Sequence, residues 1–128
     1  MNRTLWIIQV LFGVYFIAVG ITHFIVPDGL PAQMSWMYEL NDTLHLVSGT
    51  AEILGGLGLI LPGLTGIGPD LTVLAALGLG LVMLGAAVWH LTRGETQQIV
   101  LNLVIAAVLS FVVYGRWKLS PLASRSTE

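Results

Sequence analysis

Apolar residues run along this chain in four long blocks with sharp breaks between them. They are "LWIIQVLFGVYFIAVGITHFIV", about Leu5–Val26; "TLHLVSGTAEILGGLGLIL", about Thr43–Leu61; "LTVLAALGLGLVMLGAAVWHL", about Leu71–Leu91; and "QQIVLNLVIAAVLSFVVY", about Gln97–Tyr114. Each approaches or reaches the ~20 residues with which an α-helix crosses a ~30 Å hydrocarbon core, the fourth being shortest. None alternates with a period of two, so strands are excluded. Pro27 with Asp28-Gly29 ends the first block, Pro62-Gly63 is expected to end the second, Pro69-Asp70 starts the third, and "TRGE" divides the third from the fourth. The first block reads as a retained helix rather than a cleaved signal peptide. Its apolar run continues past the passable cleavage site at Ala18–Gly20, and only Arg3 precedes it. The pattern predicts an all-α fold, a four-helix transmembrane bundle over residues 1–118, followed by a polar tail, 119–128, that is expected to fray. Between helices one and two, "PDGLPAQMSWMYELND" predicts a short interfacial helix or loop, with Trp36 and Tyr38 at headgroup level.

Composition agrees. Of 128 residues, 55% are hydrophobic and 9% charged, with a mean hydropathy of +0.86. Soluble domains carry roughly 25% charged residues, so this chain lacks the polar surface to cover itself in water and belongs in a lipid bilayer. A net charge of −2 gives no basic stripe for nucleic acid. The chain has no cysteine, which removes disulfides, thiol catalysis and cysteine-ligated metals. Any redox chemistry would need a bound cofactor or a partner. Four spans put both termini on one side. Arg3, Arg116, Lys118 and Arg125 go with them, against Arg93 alone on the other side. The positive-inside rule then predicts a multi-pass protein of the cell inner (plasma) membrane with cytoplasmic N- and C-termini.

The polar residues within the spans gather near the outer face. His23 ends helix one, His45 starts helix two, His90 ends helix three, and helix four adds Gln98 and Asn102 in its outer half. Helical spacing puts His45, Ser48, Gly49, Glu52, Gly55 and Gly56 on one face of helix two. It does the same for Gly13, Phe16, Gly20 and His23 on helix one, and for Met83, Ala86, Ala87 and His90 on helix three. Small residues let membrane helices approach closely, so these faces should point into the bundle. Glu52 lies about 10 Å deeper than His45 along the helix, near the midplane. A charge there costs roughly 2.5–3.5 kcal/mol on insertion scales. No Lys or Arg lies inside a predicted span, so the nearest cations are the histidines. Two readings follow: Glu52 cross-links helices by hydrogen bonding, or it serves a ligand or a proton. Either way a raised pKa or an inward-facing Glu–His contact is expected. Ser48 reads most simply as a packing residue and His45 as a boundary residue. Three histidines and a carboxylate could in principle hold a divalent metal, but no HxxxH or HExxH spacing is present and the histidines sit on different helices, so neither a metal nor a haem is expected. The glycine runs match no nucleotide-binding frame and are explained by packing.

"GVYFIAVGITHFIVP", "SGTAEILGGLGLILPGL", "LGAAVWHLTRGE" and "VVYGRW" resemble the DoxX-like family of small four-helix membrane proteins, from about Gly13 to Trp117. By this resemblance His23, Pro27, Gly49, Glu52, Gly55, Gly56, His90, Arg93 and Glu95 stand at the family's typical positions. The turn "GLTGIGPD" departs from relatives that carry an arginine there. The resemblance implies a possible link to quinone oxidoreduction. Three functions follow as expectations. The first is a redox- or quinone-linked accessory subunit whose outward-opening pocket is served by Glu52, His23, His90, His45, Asn102 and Ser48, with a membrane or soluble oxidoreductase as partner. The second is a non-enzymatic binder of a small amphiphile or lipid, or a membrane-protein assembly factor. The third, a proton-coupled transporter, ranks last: the chain has no inverted repeat, and only a homo-oligomer would supply enough helices.

Overall fold

The computed structural model describes residues 1–125. Four helices, α1 (Asn2–Ile25), α2 (Asp42–Thr65), α3 (Asp70–Thr92) and α4 (Thr96–Tyr114), account for the four apolar blocks. All four are long and apolar enough to cross a membrane, the fourth reaching Leu119 through a terminal π turn. Consecutive helices pack side by side, and α1 meets α4 sparsely. The interior is closed by Leu5, Phe16, Leu59, Leu79, Leu109 and Val112, while large apolar side chains such as Leu54, Leu81 and Val88 stand more than 60% exposed. An apolar exterior of this extent is tolerable only against lipid, which also explains why every span is helical: in hydrocarbon the backbone must satisfy its own hydrogen bonds.

The small-residue faces do what their spacing predicts. A Cβ placed on Gly56 would lie 2.6 Å from the Gly13 carbonyl oxygen, and one on Gly49 would lie 3.0 Å from that of Gly20. Backbone-to-backbone approach at these two crossings locks α1 onto α2.

Three boundaries differ from the sequence reading. Pro62 does not end the second helix; α2 runs through it to Thr65 and closes on Gly66 in the left-handed conformation. A proline inside a helix frees the carbonyl four residues back. Here that carbonyl, on Gly58, accepts a 2.9 Å hydrogen bond from the buried Thr72 hydroxyl. The orphaned acceptor is satisfied from α3, so the helix persists. The fourth span likewise continues past Tyr114, bringing Arg116 and Lys118 inside it, although no basic residue was expected within a span. The tail is not frayed over its described part: the Arg125 amide donates to the Gly66 carbonyl at 2.7 Å, folding the chain back over the end of α2. Residues 126–128 of the predicted tail lie outside the described residues.

The interfacial helix exists as a 3₁₀ segment, Ala32–Glu39. It is pinned at both ends. The Tyr38 hydroxyl donates to the Pro27 carbonyl at 2.7 Å, Gln98 Nε2 donates to the Gln33 carbonyl at 3.0 Å, and Met37 is fully buried beneath it. This fixes Trp36 inward, over the histidines.

Candidate functional site

The third of the bundle farthest from the termini is built around two histidine–carboxylate pairs. On α1, His23 follows Gly20 on the buried face, 3% exposed. The close crossing at Gly20 and Gly49 brings α2 near enough for His23 Nε2 to reach Glu52 Oε2 at 3.0 Å. Its other ring nitrogen, Nδ1, lies 3.0 Å from His45 Nδ1. A neutral His23 that accepts from His45 presents Nε2–H to the carboxylate; an imidazolium donates on both sides. His45, partly exposed, thus begins a row of three groups that ends at a carboxylate about 10 Å further down α2.

The second pair forms at the turn between α3 and α4. Gly94, at φ 69°, reverses the chain so that the Glu95 amide donates to the His90 carbonyl at 3.0 Å. The Glu95 carboxylate then returns to His90 Nδ1 at 3.0 Å and to Arg93 Nε at 2.8 Å. Partial burial would raise the Glu95 carboxyl, but its hydrogen bonds with His90 and Arg93 outweigh that and hold it below the ordinary range. Arg93 also stacks on Trp89, 4.8 Å from the ring centroid. Trp36 stands between the two pairs, its ring centre 6.2 Å from that of His23 and 5.2 Å from that of His90.

Beneath Trp36 lies a cavity of about 290 Å³. Its polar lining comprises Tyr15, His23, Ser48, Glu52, His90 and Asn102, and its apolar walls include Leu44, Val47, Val82 and Trp89. No lysine or arginine lines it. Two atoms of this lining are buried and unsatisfied. Glu52, 5% exposed, approaches His23 closely, yet no donor is aligned on its Oε2; Asn102, 8% exposed, has no acceptor for Nδ2. Buried polar atoms without partners are rare and call for a local explanation.

The structure therefore brings His23, Glu52, His90, Asn102 and Ser48 to one cavity. His45 stands outside the wall and joins through His23. Five further residues escape the sequence reading, three at this cavity and two elsewhere. Trp36 and Trp89 look like lipid-facing aromatics in one dimension, and only the 3₁₀ segment and the helix rotation turn them toward the cavity; Tyr15 lines it while staying exposed on its other side. At the opposite end of the bundle, Gln9 and Arg116 are buried together. Arg116 Nε donates to Gln9 Oε1 at 2.6 Å, and Nη1 donates to Asn2 Oδ1 and the Ser120 carbonyl at 2.8 Å each. Gln9 had a signal: it continues the Gly13, Phe16, Gly20, His23 stripe at the same spacing.

An all-helical chain with four spanning helices and an internal polar cavity near one end defines a small multi-pass membrane protein. A family model described as the DoxX-like family matches residues 7–112, and the chain belongs to that family. No curated protein and no solved structure matches it.

Proposed function

We propose that this membrane protein is a quinone-linked accessory subunit whose cavity receives the polar head of a small neutral amphiphile. The observation that carries this reading is the Glu52 carboxylate, whose Oε2 is met by His23 alone, beside Asn102 Nδ2, a nine-tenths-buried atom that lines the cavity without a partner. One is an acceptor and the other a donor, so a head offering both a hydroxyl and a carbonyl or ether oxygen satisfies both; a quinol or half-reduced quinone has this chemistry. The absence of lysine and arginine from the lining disfavours a phosphate head. The row His45–His23–Glu52 gives a proton a path between the outer boundary and the head, while electrons pass to an oxidoreductase partner. The excess of Arg3, Lys118 and Arg125 at one end supports cytoplasmic termini in the plasma membrane, with the cavity in the outer leaflet.

The test is quenching of Trp36 and Trp89 fluorescence by decyl-benzoquinol in protein-loaded nanodiscs. Saturable quenching is expected, weakened roughly tenfold or more by Glu52→Gln, as for loss of a hydrogen bond to a charged group. Quenching that is linear in concentration and identical in the variant sinks the proposal.

A chain with no cysteine and no cofactor motif also fits a second reading, an amphiphile binder or assembly factor without redox work. A co-purifying oxidoreductase whose quinol turnover falls with Glu52→Gln selects the first reading. A stable membrane partner indifferent to that substitution selects the second.

A further inference from the structure

A polar head accounts for the cavity but not for the seam below it. A second, apolar hollow of about 490 Å³ lies along the outside of the contact between α2 and α3. Its walls continue those of the polar cavity. On α2, Val47, Ala51, Leu54, Gly58 and Leu61 recur at alternating steps of four and three residues. On α3, Leu71, Ala75, Gly78, Val82 and Gly85 do the same. Such spacing holds each set on one helix face. Val47, Val82 and Gly85 belong to the lining of the polar cavity, and the others line the apolar hollow. The floor is the helix contact itself, where Gly55 meets Leu79 and Gly58 meets Ala75. The seam is therefore continuous over about 21 Å from Val47 to Leu61, polar at its outer end and apolar below.

The seam is also open. A Cβ on Gly78 or Gly85 would meet nothing within 4 Å. Small residues in membrane helices ordinarily admit a neighbouring helix; at these two positions no other described residue fills the space. Val47 and Gly85, exposed on either side of the seam, form the mouth of the polar cavity toward lipid, while Trp36 and Leu40 line it from the loop side.

We infer that the occupant is a single-tailed amphiphile, a prenyl- or alkyl-tailed quinol, that enters from the bilayer between α2 and α3. Its head reaches Glu52 and Asn102 through the mouth at Gly85, and its tail lies in the groove past Gly78. This rests on the head-binding reading above. Lipid tails are as apolar as leucine, so the groove gives the tail little net affinity; its work is alignment, holding the head at the mouth in one orientation. Position, more than binding strength, is the readout.

The experiment uses two decyl-benzoquinol photoprobes in nanodiscs, one with a diazirine on the ring and one with it at the tail end, with adducts mapped by mass spectrometry. The ring probe is expected to label Trp36, Trp89 or Asn102. The tail probe is expected to label the Leu54–Leu61 and Leu71–Gly78 segments. Gly78→Leu, which fills the groove on its open face, should cut tail labelling there roughly tenfold, in the range of an overpacked site. Gly80→Leu, equally open but outside both hollows, should leave it unchanged. Ring labelling in the cavity with tail adducts spread over all four helices overturns the groove and leaves the head site standing. Absence of ring labelling overturns both. Cross-links joining Gly78 of two copies, without tail adducts in the groove, assign it to a second copy and overturn the inference.

Discussion

Two buried polar clusters sit at opposite ends of this bundle, and they are built on opposite plans. At the end that holds the termini, Arg116 is clasped by Gln9, Asn2 and Ser120 and lies against Trp6; its Nη2 has no partner, and neither hollow reaches it. Gln9 in turn donates to the Leu59 carbonyl at 2.6 Å, so one network joins α1, α2 and the end of α4. At the opposite end, the Glu52 carboxylate, met by His23, and the unpartnered Asn102 amide nitrogen line an open space. Both clusters cost desolvation. The cluster near the termini offsets it with four hydrogen bonds and keeps its one unpartnered nitrogen, Arg116 Nη2, away from any hollow, whereas at the other cluster the unpartnered Asn102 Nδ2 lines a cavity. Burial of a polar group in a membrane is thus not by itself a sign of function; what separates the two cases is whether the unpartnered group faces a space that a ligand can enter.

The comparison breaks most readily at Arg116. Replacing it with methionine keeps bulk but strands Gln9, Asn2 and the Ser120 carbonyl. A loss of about 3–5 kcal/mol is expected, read as a lowered midpoint of thermal unfolding in detergent, with quinol quenching intact in the protein that remains folded. An unchanged midpoint with lost quenching would reverse the roles of the two clusters. Glu52→Gln should do the opposite: roughly tenfold or weaker binding, as above, with the unfolding midpoint shifted by less than about 1 kcal/mol, because one polar group replaces another in a site that is already incomplete. Large destabilisation by this isosteric change would make Glu52 a helix cross-link.

Smaller effects sharpen the same contrast. Thr72→Val removes the donor that satisfies the Gly58 carbonyl beside Pro62. A cost of about 1–2 kcal/mol is expected, read by the same unfolding measurement, together with fraying of α2 beyond Pro62 seen as faster amide exchange at Leu64 and Thr65. The smallest effect is at Glu95. Its carboxyl is held below the ordinary range, so the contact contributes stability above the unfolded value and loses it as pH falls through the depressed folded value. Because Glu95 is partly exposed, the change should be under about 1 kcal/mol. It should appear as a slight acid-side loss of stability that Glu95→Gln abolishes.

How much was legible in the chain follows from range. The four spans, the buried stripes and the outer gathering of His23, Glu52, His90 and Asn102 are written in spacing, because a helix converts i, i+3, i+4 positions into a face without help from elsewhere. The Glu–His contact was also anticipated, since histidines were the nearest cations to Glu52. Pro62 was misread because the fate of a helix at proline depends on who takes the freed carbonyl, and that donor, Thr72, comes from the next helix. Arg116 was placed outside the spans because a charged residue near a helix end reads as a flank until its partners, a hundred residues earlier in the chain, are known. The inward direction of Trp36 was not legible because nothing local says which way a 3₁₀ segment faces.

By itself, then, the sequence determined the class of solvent, the number of helices and the faces they bury, since hydropathy and helical period are local properties. The tertiary structure decided which polar groups found partners. It paired His23 with Glu52 and Arg116 with Gln9, turned Trp36 over the cavity, and left Nδ2 of Asn102 without a partner on the cavity wall. Those outcomes depend on helix rotation and crossing, set by close contacts such as Gly13 against Gly56, and no single segment carries that information.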